Sequence, residues 1–477
     1  MILRNVRLGV GGPLGDVRLA GGVVAELGRS LSGGQQIDGR GGTLLPGLVD
    51  AHVHAAQWAS HRRRVPLDAA RSAREAVDLV VRGARDARPG ELVTGGGFRD
   101  GLWPDAPHKD LLARALRDQP VALFSNDLHT VWLSPAALRL AGREHSTGVL
   151  VEEECYAATA ALPAAPARTV DRWVREAMAA AAARGVTGIN DFEYADTVTD
   201  WTRRLGDGPL PVRVACVIAR YLLDEAVARG HRTGDVLPGS GGRLTVGPFK
   251  LFVDGSLNTR TAYCHDPYPG GAGTGRLELP PADLVPLMRR ASAHGLHPAV
   301  HAIGDAANTI ALDAFAALGC AGRIEHAQLV DAGDLARFAA LGVTVGVQPA
   351  HAPDDRDVAD RHWAGRTGRA FPYADLLAAG ARLEIGSDAP VSPLDPWDGI
   401  ASAVTRTDDG RPPWHPEQAI PLAAALRAAS GGRAGVRVGD PADLMVVAAD
   451  PSELAPAELR ELPVIATLLA GEVTHLL

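Results

Sequence analysis

Residues 283–304 read DLVPLMRRASAHGLHPAVHAIG. The first half has the composition of a helix and stops at a glycine, and the second is an apolar strand that runs out through His301. The same helix-then-strand unit recurs in AGDLARFAALGVTVGVQP, residues 332–349. Working outward, the candidate strands are GLVDAHVH (47–54), GVTGINDF (185–192), PVRVACVI (211–218), GPFKLFVDG (247–255), LHPAVHAIG (296–304), GRIEHAQL (322–329), GVTVGVQP (342–349) and ARLEIGSDAP (381–390). Eight βα units in about 350 residues predict an α/β chain folded as a parallel (β/α)8 TIM barrel, with an open doubly wound sheet as the competing arrangement. The gap after the first strand is too long for a loop, so residues 57–165 are expected to be an insertion, carrying the helix REAVDLVVRGARDA and the strand PVALFSND. Residues 1–46 and 431–477 are strand-rich and each too small to bury a core, which predicts one small β-sandwich built from both chain ends, with the barrel at 47–430.

The chain has 477 residues, 46% hydrophobic and 22% charged, the profile of an ordinary globular protein of more than one domain. A net charge of −8 without a basic tract argues against a nucleic-acid partner. No apolar run reaches the roughly 18 residues of a membrane span, and the start lacks a signal-peptide core. Cys155, Cys216, Cys264 and Cys320 are scattered, without a CxxC pair, as in a reduced intracellular protein. A cytoplasmic protein acting on a small molecule is the expectation, with neither nucleic acid nor membrane as partner.

His52 and His54 stand two apart at the end of the first strand, so alternation turns both to one face, where two imidazoles can grip one metal ion. His301, His326 and Asp388 also fall at strand carboxyl ends, the face on which barrel enzymes build their sites. Such a set suits a divalent ion such as Zn²⁺. Lys250 is one of only two lysines among 48 basic residues, and it lies between Phe249 and Leu251 in an apolar strand. A desolvated amine loses basicity and can add CO₂ to give a carbamate that bridges two metals, which a guanidinium cannot do. The alternative is a lysine paired to Asp254 or Asp388. Lys109, beside a helix start, reads as a surface residue.

GLVDAHVH, GVTGINDF, KLFVDGSLNTRTA, VHAIGDAAN, RIEHAQL, LGVTVGVQP, GSDAPVSPLDPW and GDPADLMVV occur in this order along nearly the whole chain. The chain thereby resembles the amidohydrolase superfamily, within it the family 3 group of YtcJ-like metal-dependent hydrolases. The resemblance implies two divalent ions, with zinc as the expected metal: His52, His54, Lys250 and Asp388 would hold one, and Lys250, His301 and His326 the other, with carboxylated Lys250 as bridge. SNDLHTVWL is similar to the family's Asp-Gly-His segment through Asp127 and His129, with Leu128 in place of Gly; Asn258 likewise replaces a Gly. The segment after PEQAIPLAAALRAAS is shorter than the family pattern, which bears on how the last barrel helix packs.

The expected activity is hydrolysis of a non-peptide carbon–nitrogen bond, as in an N-acyl or N-formyl amine, by a metal-activated hydroxide. Asp388 is the expected base, with His129 next. His129, Trp132, Arg260 and His351 are candidate substrate contacts, and Asp254 and Asp305 either steady ligands or cap turns. Ester hydrolysis, deamination or decarboxylation at the same centre is the alternative, as is an inactive regulatory ligand-binding barrel. A homodimer is expected by analogy alone.

Overall fold

Eight strands form the central sheet: β1 Leu48–Val53, β2 Val186–Asp191, β3 Arg213–Ile218, β4 Leu244–Phe252, β5 Pro298–Ala302, β6 Arg323–His326, β7 Thr344–Val347 and β8 Arg382–Ile385. These are the strands expected from the sequence. They pair in parallel in chain order. The computed structural model describes residues 1–477 except 86, 99, 101–102, 126–129 and 272, and the side chains at 152, 153 and 156. The barrel core is apolar on both faces of the strands, with Phe249, Leu251, Val300, Ile324 and Val345 fully buried, as a parallel sheet covered by helices requires. DLVPLMRRASAHG forms the helix Pro281–Ala293 and AGDLARFAALG the helix Leu335–Ala340.

The barrel closes just beyond β8. Asp388 N donates to His52 O at 2.7 Å, and His54 N donates to Ala389 O at 2.9 Å. Those bonds join the last strand's exit to the first strand and exclude the open sheet. Asp50 clamps the same seam, its Oδ1 accepting from His52 N at 3.1 Å and from Ser387 N at 3.0 Å. Close approach here needs a glycine, because a Cβ on Gly386 would lie 2.5 Å from His52 N.

Both chain ends contribute to one eight-stranded sheet. In order it runs Glu472–Leu476, Val464–Leu469, Leu444–Val447, Thr43–Pro46, Ile2–Leu8, Leu14–Ala20 and Val23–Gly28, with Gln36–Asp38 also paired to Ile2–Leu8. Val24 and Leu468, from strands far apart in that order, share one buried cluster with Leu3, Val17 and Leu444, so the sheet curls over its own core. It grips the barrel through Arg184, whose Nε binds Asp395 at 2.9 Å and whose guanidinium reaches Leu462 O at 3.1 Å. Short as the tail is, the helix Leu422–Ala428 buries Ala425 and Ala428, and Ala429 O accepts from Val49 N at 2.7 Å.

The insertion is a unit of its own, Ala59–Val174, where 57–165 was expected. Its five-stranded sheet runs Val149–Val151, Thr130–Leu133, Val121–Ser125, Val93–Phe98 and Val65–Pro66. The expected helix is present as Ala73–Gly83, capped by the Ser72 side chain, and buries Ala76, Val77 and Val80 against that sheet's Val93 and Phe98.

The seam generates a stability prediction. Gly386→Ala pushes a methyl group into the β1 backbone and should cost about 1–3 kcal/mol, the range for overpacking. Guanidinium denaturation checks it, with Gly410→Ala, whose Cβ would meet nothing within 4 Å, leaving the midpoint near wild type.

Candidate metal centre

Strand ends bring the predicted ligands together. His52 Nε2 lies 3.6 Å and His54 Nε2 3.2 Å from Asp388 Oδ1. One ligand atom from each of these three residues falls within 4.8 Å of the others, a spacing at which a single divalent ion can be held. The His326 ring is 5.0 Å from that of His52 and 4.5 Å from that of His301, so the second pair of imidazoles adjoins the first. His326, Ala327 and Asp388 have φ of 79°, 42° and 57°, left-handed backbone that residues with a Cβ adopt at a cost. That turn lets each strand redirect its last side chain over the barrel mouth.

Three of the four imidazoles are oriented from behind, whereas His54 Nδ1 is buried without a partner among the described residues. Glu325 Oε2 accepts from His52 Nδ1 at 2.7 Å, which leaves the His52 Nε2 lone pair free for a ligand bond. Gln348 Oε1 accepts from His326 Nδ1 at 2.9 Å, and Gly255 O accepts from His301 Nε2 at 3.0 Å. Burial pushes His52 down to about 4 and His301 to about 3, in both cases with Lys250 adding to the effect, and His326 falls well below its ordinary value. All three are neutral imidazoles at neutral pH, the form that binds metal. His54 differs: burial is the largest single influence and opposes its protonation, but the Asp388 hydrogen bond together with the charges of Asp388 and Glu193 raises it. Burial would raise Asp388, yet His52, His54 and His326 hold it well below the carboxylate range. Asp388 is therefore ionised.

Lys250 lies one layer deeper, paired in register with Ala299 while Phe252 pairs with His301. It is 1% exposed. Its Nζ sits 4.8 Å above the Phe192 ring and 4.7 Å from that of Phe252, and it makes no ion pair among the described residues. The reading of a lysine salt-bridged to Asp254 or Asp388 is corrected accordingly: Asp254 instead accepts from the backbone N–H groups of Tyr263, Ile303 and Gly304, and Asp388 faces the histidines. Burial pushes Lys250 down to about 8, against the attraction of Glu325 and Asp388.

The remaining predicted residues are dispersed. Asp127 and His129 lie outside the described residues. Trp132 is fully buried in the insertion's own cluster with Phe98 and Leu123, so its indole presents no face to a ligand there. Arg260 is exposed in the loop after β4, at a φ of 58°. His351 is buried at the start of the helix His351–Asp354, with Nε2 unpartnered among the described residues. Asp305 accepts from His265 N at 2.9 Å and pairs with Arg369 at 3.2 Å, which makes it a loop anchor. Lys109 donates to His145 O within the insertion.

Glu325, Arg323 and Gln348 escaped the sequence reading. Glu325 is fully buried, bonded to His52 and to Arg323 Nε, and Arg323 also reaches Glu384 at 2.9 Å. The available signal was RIEH itself: two opposite charges at alternate positions of a strand that is buried on both sides.

Residues 35–475 match the Amidohydrolase family. The Bacillus subtilis protein YtcJ is 27% identical over 485 residues, spanning 92% of this chain and 90% of that one. The N-substituted formamide deformylase of Arthrobacter pascens is 26% identical, spanning 97% and 93%. Among solved structures, an uncharacterized metal-dependent hydrolase from Pyrococcus horikoshii superposes with a TM-score of 0.81 at 25% identity, covering 96% of this chain and 98% of that one.

Two outcomes follow for the metal-free and metal-loaded protein. Glu325→Gln frees the His52 tautomer and should weaken metal retention roughly 10- to 100-fold in a chelator competition. In the metal-free protein His301 takes a proton only at about pH 3, whereas the unfolded chain takes it near 6.5, so stability falls as pH drops through that window. Asp254, pushed up to about 7 by burial, has the opposite sign. The decisive comparison is therefore between proteins: denaturant midpoints of His301→Asn should decline less on acidification than those of wild type.

Proposed function

The chain belongs to the amidohydrolase family, and from that premise we propose that it hydrolyses a carbon–nitrogen bond of a small molecule, of the N-acyl or N-formyl amine class. The observation that carries this reading is a buried amine, Lys250, beside four histidines and an ionised aspartate at one barrel mouth. Similarity to an N-substituted formamide deformylase along 93% of its length supports the formyl or acyl amine within that class.

The donor set fits divalent ions, with zinc proposed. His52, His54, Asp388 and Lys250 would hold one, and His301, His326 and Lys250 the other. Bound there, the ions would supply Lewis acidity toward the carbonyl oxygen and acidify water from about 15.7 toward ~7. The chain's own residues do the rest. A Lys250 amine held near 8 is partly neutral at physiological pH, so Nζ adds CO₂, loses a proton to solvent and becomes an anionic carbamate. Phe192 and Phe252 pack over that nitrogen, their rings 4.8 and 4.7 Å from it. Asp388 Oδ1 accepts the proton of the attacking water and returns it to the departing nitrogen, since C–N cleavage needs a protonated leaving amine. His54 Nε2, 3.2 Å from that oxygen, orients the carboxylate between the two transfers.

A net charge of −8 without a basic tract supports a small-molecule substrate over nucleic acid. Four scattered cysteines without a CxxC pair favour the cytoplasm, and no helix among the described residues is long and apolar enough to cross a membrane. A homodimer completes the proposal, to be checked by sedimentation.

Elemental analysis should find close to two divalent ions per chain, and chelation should abolish hydrolysis of N-formyl and N-acyl amines in a panel that also holds esters and aminated heterocycles. Turnover confined to the esters or heterocycles would overturn the class. Asp388→Asn should lower turnover by at least ~10²-fold, the scale of general acid–base catalysis. Lys250→Arg, although it keeps the charge, should lose both metal content and turnover, because a guanidinium cannot form the carbamate. Lys109→Arg serves as its control.

A further inference from the structure

The chain holds 8 Trp, 6 Tyr and 8 Phe. Among the described residues only Tyr221, Tyr194 and Phe252 stand well out into solvent, at 59%, 48% and 37% exposure. They are not scattered. The Phe252 ring lies 5.3 Å from His301, Tyr194 lies 5.9 Å from Phe252, and Tyr221 lies 5.4 Å from Tyr194, the last two contacts edge-to-face. One continuous aromatic track therefore leads out from the histidines of the barrel mouth.

Its position follows from the strands. Phe252 is the last residue of β4 and shares the face of Lys250, one step nearer the mouth. Tyr194 and Tyr221 follow the carboxyl ends of the neighbouring β2 and β3. Neither tyrosine hydroxyl has a hydrogen-bond partner among the described residues. Beside them opens a recess of about 430 Å³, bounded by Tyr194, Tyr221, Leu223 and Leu287, with the Arg290–Asp224 ion pair at 2.5 Å on its edge. That volume is within the range of small-ligand sites. Its wall is mixed: two tyrosines and two leucines stand beside that ion pair and the further cation Arg220.

We infer that Phe252, Tyr194 and Tyr221 form an aromatic-binding subsite that selects substrates carrying an aromatic ring next to the scissile group. The inference rests on the proposed hydrolase reading in treating the ligand as substrate. Rings set edge-to-face at 5–6 Å leave their faces and edges open to one more ring at the same spacing, whereas a saturated group of equal size gains only burial. Phe252, whose ring borders that of His301, is the member of the track nearest the histidines.

The test compares N-(phenylmethyl)formamide with N-(cyclohexylmethyl)formamide, which match in size and differ in aromaticity. Wild type should favour the phenyl compound in kcat/KM, and Tyr194→Leu, at wild-type metal content, should lower the phenyl-to-cyclohexyl ratio about three- to tenfold, the worth of one aromatic contact. Equal use of both by wild type, or an unchanged ratio in Tyr194→Leu, overturns the subsite. A binding arm separates this from failure of the hydrolase reading. Should neither formamide be turned over, benzylamine and cyclohexylmethylamine are titrated by calorimetry. Tighter benzylamine binding that weakens several-fold in Tyr194→Leu sustains the subsite, and equal binding of the two amines removes it.

Discussion

Glu325 is buried completely, and it stays ionised because Arg323 lies against it from the same strand while His52 donates to it from across the barrel. Burial alone would raise this carboxyl group; the guanidinium and the imidazole reverse that and hold it far below the usual range. Arg323 continues to Glu384 on β8 and to Ala51 O on β1. The network thus ties β6, β8 and β1 together across the interior at the level beneath the histidines. Even the strand between β6 and β8 is adapted to it, since a Cβ on Gly346 would lie 2.2 Å from Glu325 Oε2. Breaking a buried pair of this kind costs about 3–5 kcal/mol, because the abandoned charge has no water to return to.

Above that layer sits the chemistry. Neutral imidazoles, an ionised aspartate and an amine of reduced basicity coexist because each is desolvated beside a different neighbour. The strained turns at His326 and Asp388 lie where β6 and β8 end, so backbone cost is concentrated on the residues whose side chains must converge. The insertion, by contrast, keeps its aromatic Trp132 and Phe98 inside its own core.

Much of this was legible beforehand, for a physical reason. Barrel strands that are buried on both faces read as apolar runs, so His301 in PAVHAIG or Lys250 in PFKLF is conspicuous without any knowledge of its partners. Glu325, Gln348 and Gly386 were not legible, because their roles depend on what faces them across the barrel and not on their neighbours in the chain. Trp132 was misleading in the opposite way: an aromatic residue near a suggestive segment looks like a ligand contact until its own sheet claims it. The edge-to-face track of Phe252, Tyr194 and Tyr221 was equally hidden, since it joins three residues that lie far apart in the sequence.

The seam between β1 and the exit of β8 has a consequence for the newborn chain. His52 leaves the ribosome early, and the Asp388 N–H that its carbonyl accepts follows more than three hundred residues later. At ordinary elongation rates that is a wait on the order of tens of seconds. Throughout it β1 has its β2 edge available for pairing but an open edge on the other side, and Thr43–Pro46 waits longer still for Leu444–Val447. His52 and His54, made first, therefore stand beside an unpaired strand edge until the exit of β8 has been made.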